Sequence, residues 1–399
     1  VISKKWAASM LCVIFAANAA QATEWRGDWD GDLYGYVDEL RPRGDGILNP
    51  ENRIARFIRH SSRIEMRLNL RAATRDWRLA LRPIGALQWD AGKRTEDLYL
   101  SRWQLSRPLS QTWHVRAGRE LLTWGVAQFR SPANPFYFDN GRSKPTRELT
   151  GMDVMTLAWV PNVRGSIAVT RLMGRGHDEE PGAWRNGHLI RGELRGDTWA
   201  GGGLWAKQPG EAFFAGLYLQ CNFGDEVLLY GEAGSSRPRQ TLPSTHDLTQ
   251  PFVIEDAPTR HGSMLLGAAY TLDNGQNLAV EYLHFGQGFS AAKSAAYAVR
   301  ASTAPTTAAQ AFNEGPLLLN RDYLHLVWQG NPMEAMGYWR LMLSHNLVDS
   351  GSEAAVYSEI ALGSRASGFA LVVLPVGNAR QEFSALLTGS LTLGLKLAL

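Results

Sequence analysis

Arginine recurs early in this 399-residue chain at spacings that make rows: Arg63, Arg67 and Arg71, then Arg78 and Arg82, then Arg102 and Arg116. A guanidinium stays charged and presents a planar fork of donors that suits carboxylate and phosphate. A row of them facing water would attract anions and repel small cations. A row facing acids would only brace. Glu65 is the one clear acid among them, and Glu232, Glu281 and Asp153 are candidate partners elsewhere. Both readings stay open from the residues alone.

A second group follows in the segment 119–150, which opens on Arg119 and Glu120 and continues Leu121-Leu122-Thr123-Trp124-Gly125. It runs through Ser131-Pro132-Ala133-Asn134-Pro135-Phe136 and closes with Arg142, Lys144, Arg147 and Glu148. Pro-Asn-Pro punctuation suits a loop of fixed shape. It is either an inward-folded loop that narrows a pore or an ordinary surface loop. Arg119, Glu120 and Arg147 therefore join the candidate pore-lining set, as do Glu232, Glu281 and Arg340 from later strands.

The elements that must position these side chains are strands. From Ser62 to Arg71, Ile64, Met66, Leu68 and Leu70 alternate with Arg63, Glu65, Arg67, Asn69 and Arg71. Period two gives one apolar face and one polar face. The same alternation returns at Trp77–Arg82, Phe213–Asn222 and Trp339–Ser344. Arginines on the polar rows of many strands point to a wet interior rather than a dry sandwich core. Breaks in the pattern predict about 18 strands, with 16 the alternative. Short connections such as Asp273-Asn274-Gly275 alternate with long ones near 38–60, 119–150, 235–261 and 286–320. Tight periplasmic turns and long external loops are the asymmetry of outer-membrane barrels. Ala291 to Phe312 is either a short helix or a flexible loop.

The two ends agree. Lys4 and Lys5, an apolar run from Trp6 to Ala17 and Ala20-Gln21-Ala22 form a secretion signal over residues 1–22. Residues 23–399 are then a single barrel domain. The run is too short to span a bilayer as a helix. Beyond it only Cys221 remains, so no intramolecular disulfide forms. At the other end Leu391, Leu393, Leu395, Leu397 and Leu399 alternate with Thr392, Gly394, Lys396 and Ala398. This ladder reads as the closing strand, leucines to lipid and Lys396 inward, paired with Leu33–Val37.

Forty glycines and 14 tryptophans suit a barrel with aromatic girdles. A net charge of +3 gives nucleic-acid binding no support. The histidines at 60, 114, 246, 261, 325 and 345 offer chance partners for serine, yet there is no G-x-S-x-G elbow, no H-E-x-x-H and no cysteine cluster. Neither an enzyme nor a cofactor or metal is expected.

The run "GRELLTWG…SPANPF…RELTGMD", followed by a strand ending in Trp159-Val160-Pro161, resembles a porin-like family of proteobacterial outer-membrane proteins. That family is largely uncharacterised and sits near the alginate-export-type barrels. The likeness covers about a third of the chain. Glu120 stands where the family has Gln, and Leu399 where most such barrels end in Phe or Trp for the assembly machinery. The resemblance implies a channel in the Gram-negative outer membrane, among lipid and lipopolysaccharide. The expectation is an all-β, antiparallel up-and-down transmembrane barrel for passive diffusion of small hydrophilic, anionic solutes. The alternative is an export pore for an anionic exopolysaccharide.

Overall fold

The computed structural model describes residues 25–139, 141–142, 146–174, 184, 186–210, 213–236, 240–241, 255–256, 260–306, 308, 318–334 and 336–399. The secretion signal expected over residues 1–22 lies outside the described residues.

Eighteen antiparallel strands form one closed sheet. They are β1 (Arg26–Pro42), β2 (His60–Ala73), β3 (Arg78–Asp90), β4 (Lys93–Pro108), β5 (Trp113–Glu120), β6 (Met152–Asn162), β7 (Gly165–Gly174), β8 (His188–Arg195), β9 (Trp199–Lys207), β10 (Phe214–Phe223) and β11 (Val227–Ser236). A two-residue pair, β12 (Gln240–Thr241) and β13 (Glu255–Asp256), stands apart from the barrel. The barrel resumes with β14 (His261–Thr271), β15 (Asn277–His284), β16 (Asp322–Gln329), β17 (Gly337–Asn346), β18 (Ser352–Ala361), β19 (Ala366–Val376) and β20 (Leu387–Ala398). Each strand pairs with its neighbours in sequence, and β20 pairs with β1 from Asp32↔Ala398 to Pro42↔Leu387. Closure leaves no open edge, the condition for a sheet to cross lipid. No described helix is long and apolar enough to cross a membrane; the strands do so. This is a transmembrane up-and-down barrel of the outer membrane.

The leucine ladder faces outward, with Leu395 60% exposed on the lipid side. Lys396 points inward, 3.7 Å from Asp32 and near the Tyr34 ring. Periplasmic turns are short, as at 163–164 and 224–226; external connections are long, 31 residues at 121–151 and 37 at 285–321.

Three boundaries differ from the sequence expectation. β1 is longer than Leu33–Val37 implied: Asp and Gly, which favour turns, here continue the strand. β3 runs past Pro83 to Asp90 because Pro83 sits at a bulge, where a missing N–H breaks no regular ladder. The β3–β4 connection is only Ala91-Gly92, both with positive φ (46° and 85°), the conformation a two-residue hairpin requires.

Of the Ala-rich segment, Ala291–Thr303 is a helix, α1; residues 309–312 lie outside the described ones. Tyr297 and Ala301 of α1 pack with Leu48, Phe289, Leu319 and Ala385, so three external connections share one apolar roof. Beneath it, the Glu382 carboxylate accepts from the Leu319 N–H (2.7 Å), the Tyr323 hydroxyl (2.6 Å) and the Asn346 amide (2.8 Å). Burial pushes this carboxyl up to about 7 against the pull of those donors, and the charge of Asp349 adds to the rise. The native roof therefore binds the proton more tightly than an opened one. Its stability is highest below the ordinary carboxylate range and falls as pH rises through about 7, by roughly 3 kcal/mol. Hydrogen exchange of residues 318–323 is expected to be slower at pH 5 than at pH 8 beyond the intrinsic rate change. Glu382→Gln should abolish the difference.

Candidate functional site: an arginine wall and an inward loop

The inward rows of β1 to β5 build the wall. Arg67 is only 5% exposed; it donates Nε to Glu65 and Nη2 to the Thr146 carbonyl (2.7 Å), and its guanidinium lies 4.3 Å from the Tyr34 ring centre. Arg63 bonds the other Glu65 oxygen (2.7 Å) and Gln88 (3.0 Å). Arg82 grips Glu148 with two donors, Nε at 2.7 Å and Nη2 at 3.0 Å, and also bonds Asn69. The bulge at Arg82/Pro83 brings both Ser101 and Arg102 to Glu148, each at 3.0 Å. One loop carboxylate is thus shared by Arg82, Arg102 and, at 3.6 Å, Arg67. Burial alone would raise the pKa of Glu148; the Arg82 hydrogen bond and the charges of Arg82, Arg102 and Arg67 outweigh it and hold the carboxyl below its ordinary range.

Four guanidiniums (Arg63, Arg67, Arg82, Arg102) meet two carboxylates (Glu65, Glu148), so this part of the wall keeps a formal charge of +2. Lower down, Arg71 pairs with Asp28 (3.1 Å) and Asp30 (2.9 Å). Arg78 shares the inward phase near the periplasmic end, and no ion pair forms to it among the described residues. Arg116 lies 3.8 Å from Glu120.

Arg119 corrects the expectation. It pairs in register with Asp153, one strand position out of phase with Arg116, on the same face as outward Met155. Gly118 and Glu120 take the inward positions on either side, so Arg119 makes its two-donor bridge to Asp153 (2.9 Å) on the outer face. Asp153 is therefore unavailable to the interior wall.

Glu232 and Glu281 do not pair with the arginine row either. They hold the 121–151 segment, which folds into the barrel. Glu281 accepts the backbone N–H groups of Gln128 (2.6 Å) and Phe129 (2.8 Å) and the Tyr230 hydroxyl (2.7 Å). Glu232 accepts from the Ala127 N–H (3.2 Å) and the Ser131 hydroxyl. Hydrogen bonds from N–H groups to a carboxylate are roughly twice as strong as neutral ones, so these two acids fix the loop backbone. Arg340 faces inward and donates to Gln128 (3.1 Å), while Arg147 pairs with Asp139 (3.2 Å) within the loop.

Apolar packing completes the seating. Trp124 and Ala133 sit against Leu189, Leu204 and Phe214, and Phe129 sits against Leu265, Leu283 and Tyr323. Paired glycines on β10 and β11 leave room: a Cβ at Gly234 would meet the Pro132 carbonyl oxygen at 1.9 Å, and one at Gly216 would meet that of Ala133 at 2.6 Å. Gly234→Val is therefore expected to lift the loop from the wall. Single-channel conductance should rise, with the folded barrel confirmed by heat-modifiable gel mobility.

Chemistry beyond binding finds no support. Among the described residues no group of His, Cys, Asp and Glu could hold a metal ion. His325 meets Ser344 (2.9 Å), but Phe129 stacks on the imidazole at 4.8 Å, both residues of the pair are buried, and no carboxylate among the described residues bonds the ring. His246 lies outside the described residues.

Fold and site together define a transmembrane outer-membrane barrel with an inward loop and a basic inner wall. The structure is similar to OccK11 (OpdR) of Pseudomonas aeruginosa, with a TM-score of 0.55 and 11% identity over 94% of this chain and 96% of that one. It is also similar to OccD1 (OprD), with a TM-score of 0.55 and 10% identity over 96% and 97%. The outer membrane protein OprD from Pseudomonas aeruginosa, in another structure, gives 0.52 at 9% identity over 93% of each chain. At such identities the likeness is one of fold. No protein-family model matches the chain, and no curated protein does.

Sequence reasoning missed three contributors. The acidic row Asp28, Asp30 and Asp32 was hidden because β1 starts earlier than its hydrophobic pattern. Tyr34 and Tyr36 are its inward aromatics. Glu148 reads in the sequence only as part of the loop's charge, because its three arginine partners lie on β2 to β4, far from it in the chain.

Proposed function

We propose that this protein is a channel for passive diffusion of small hydrophilic anions. The observation that carries the reading is the excess of guanidinium over carboxylate where the inward loop meets the wall. Arg63 and Arg102 keep about a quarter and a third of their side chains exposed there, at 26% and 37%. The middle of the loop is packed against the opposite strands and its end touches the arginine wall at Thr146 and Glu148, so the partly exposed guanidiniums beside that contact border the lumen that is left. A low-dielectric wall focuses such a charge and raises the local anion concentration. The aromatic ring of Tyr34 and the loop's apolar seat favour organic acids of modest size over large solutes.

Export of an anionic exopolysaccharide, as by alginate-export-type barrels, would use the same charge in reverse. A long polyanion needs a continuous basic track. The pairing of Arg71 with two aspartates interrupts the track toward the periplasm and favours small solutes. The C-terminal strand β20 would be the segment read by the assembly machinery.

Liposome swelling with solutes of equal size tests the reading. A monocarboxylate is expected to enter several-fold faster than a neutral or cationic analogue. Equal rates for all three would refute it.

A further inference from the structure

The outer surface carries a second basic feature that solute passage does not use. Arg171 on β7, His188 on β8 and Lys207 on β9 stand directly opposite one another in the strand register. All three are exposed and lie at the external ends of their strands. They share the outward phase with Val169, Ile190 and Trp205, which form the apolar surface below them. Arg171 donates to the His188 imidazole Nε2 at 2.5 Å. Further round the same rim, the Arg260 guanidinium lies 3.9 Å from the ring centre of exposed Phe213 and donates to the Ser235 hydroxyl (2.7 Å) and carbonyl (3.1 Å).

Of the other outer-face arginines, Arg107 at the periplasmic end stacks on Trp77 at 5.1 Å, and three on the external side have acids beside them. Arg41 pairs with Glu39, Arg94 with Glu96 and Arg119 with Asp153. No ion pair is made by Arg171, Lys207 or Arg260 among the described residues. Basic groups opposite each other across strands repel. Neighbouring strands lie about 4.8 Å apart, so the Arg171–Lys207 span is about 10 Å, enough for a phosphate to reach both. The arrangement places donors that form no ion pair among the described residues at headgroup level and an apolar surface at acyl-chain level.

We propose that the β7–β14 rim is a binding site for a lipid of the external leaflet that carries phosphate on its headgroup. Arg171 and Lys207 hold phosphate oxygens, His188 orients the Arg171 fork, Arg260 takes a second anionic group, and the acyl chains lie along Val169, Ile190 and Trp205. The site is independent of what the lumen conducts.

The test measures binding of diphosphorylated lipid A to the detergent-solubilised full-length barrel by native mass spectrometry. The variant Arg171→Gln/Lys207→Gln/Arg260→Gln is compared with Arg41→Gln/Arg94→Gln on the other side. The first is expected to weaken binding about a hundredfold, and the second to leave it within twofold. Unchanged affinity in the triple variant, or an equal loss in the control, overturns the proposal. Should the triple variant not reach the heat-modifiable folded form, wild-type protein decides the matter. It should prefer diphosphorylated lipid A to its phosphate-free counterpart and show no saturable binding of inorganic phosphate. Equal binding of both lipids, or tight binding of inorganic phosphate alone, contradicts it.

Discussion

Changing Arg63 and Arg102 together to glutamate is expected to turn an anion-preferring channel into a cation-preferring one. Each substitution alters the formal charge by two, so the local wall goes from +2 to −2. An ion passing about 6 Å away feels roughly 0.7 kcal/mol per unit charge in water-like surroundings. Screening at 0.1 M salt roughly halves that. Four units then change the energy of a monovalent ion by about 1.5 kcal/mol, or roughly tenfold in occupancy. The two were chosen because they are partly exposed; buried Arg67 holds Glu65 and the loop, and its loss would disturb the fold. The measurement is the permeability ratio of chloride to potassium in planar bilayers. A ratio unchanged in the variant would mean that these arginines do not border the conducting path.

Glu281→Ala is expected to enlarge the channel. Glu281 takes two loop N–H groups and the Tyr230 hydroxyl in a fully buried setting. Hydrogen bonds to a charged acceptor contribute roughly 1.5–3 kcal/mol each, so their loss costs the seated loop on the order of 5 kcal/mol. The barrel itself is held by its own ladders and should stay folded. Removal of Ser131–Lys144 acts on the same element more severely. Single-channel conductance should rise in both, most in the deletion. Conductance equal to wild type in both would place the loop outside the path.

Much of this was legible in the sequence because a lipid-facing strand imposes a strict period of two. The ladder Leu391–Leu399 and the run Ser62–Arg71 give strand, face and register at once, and one wrong register would have turned every arginine outward. The period fails where backbone is irregular. Pro83 read as a strand end but occupies a bulge, and that bulge presents Ser101 and Arg102 to the same carboxylate. Arg119 lies past the register its neighbours suggested and faces out. Glu232 and Glu281 take backbone N–H groups of a distant loop as partners, which no side-chain pattern reveals. The charge of the wall was therefore visible, and its neutralisation by Glu148 and β1 was not.

The central claim is that the lumen prefers anions, and the zero-current potential of the wild-type channel tests it most directly. The purified barrel is placed in a planar bilayer between tenfold different KCl concentrations. A potential of the sign set by chloride is the predicted result. A potential of the sign set by potassium, or no conductance from a barrel shown to be folded by heat-modifiable mobility, would contradict the account.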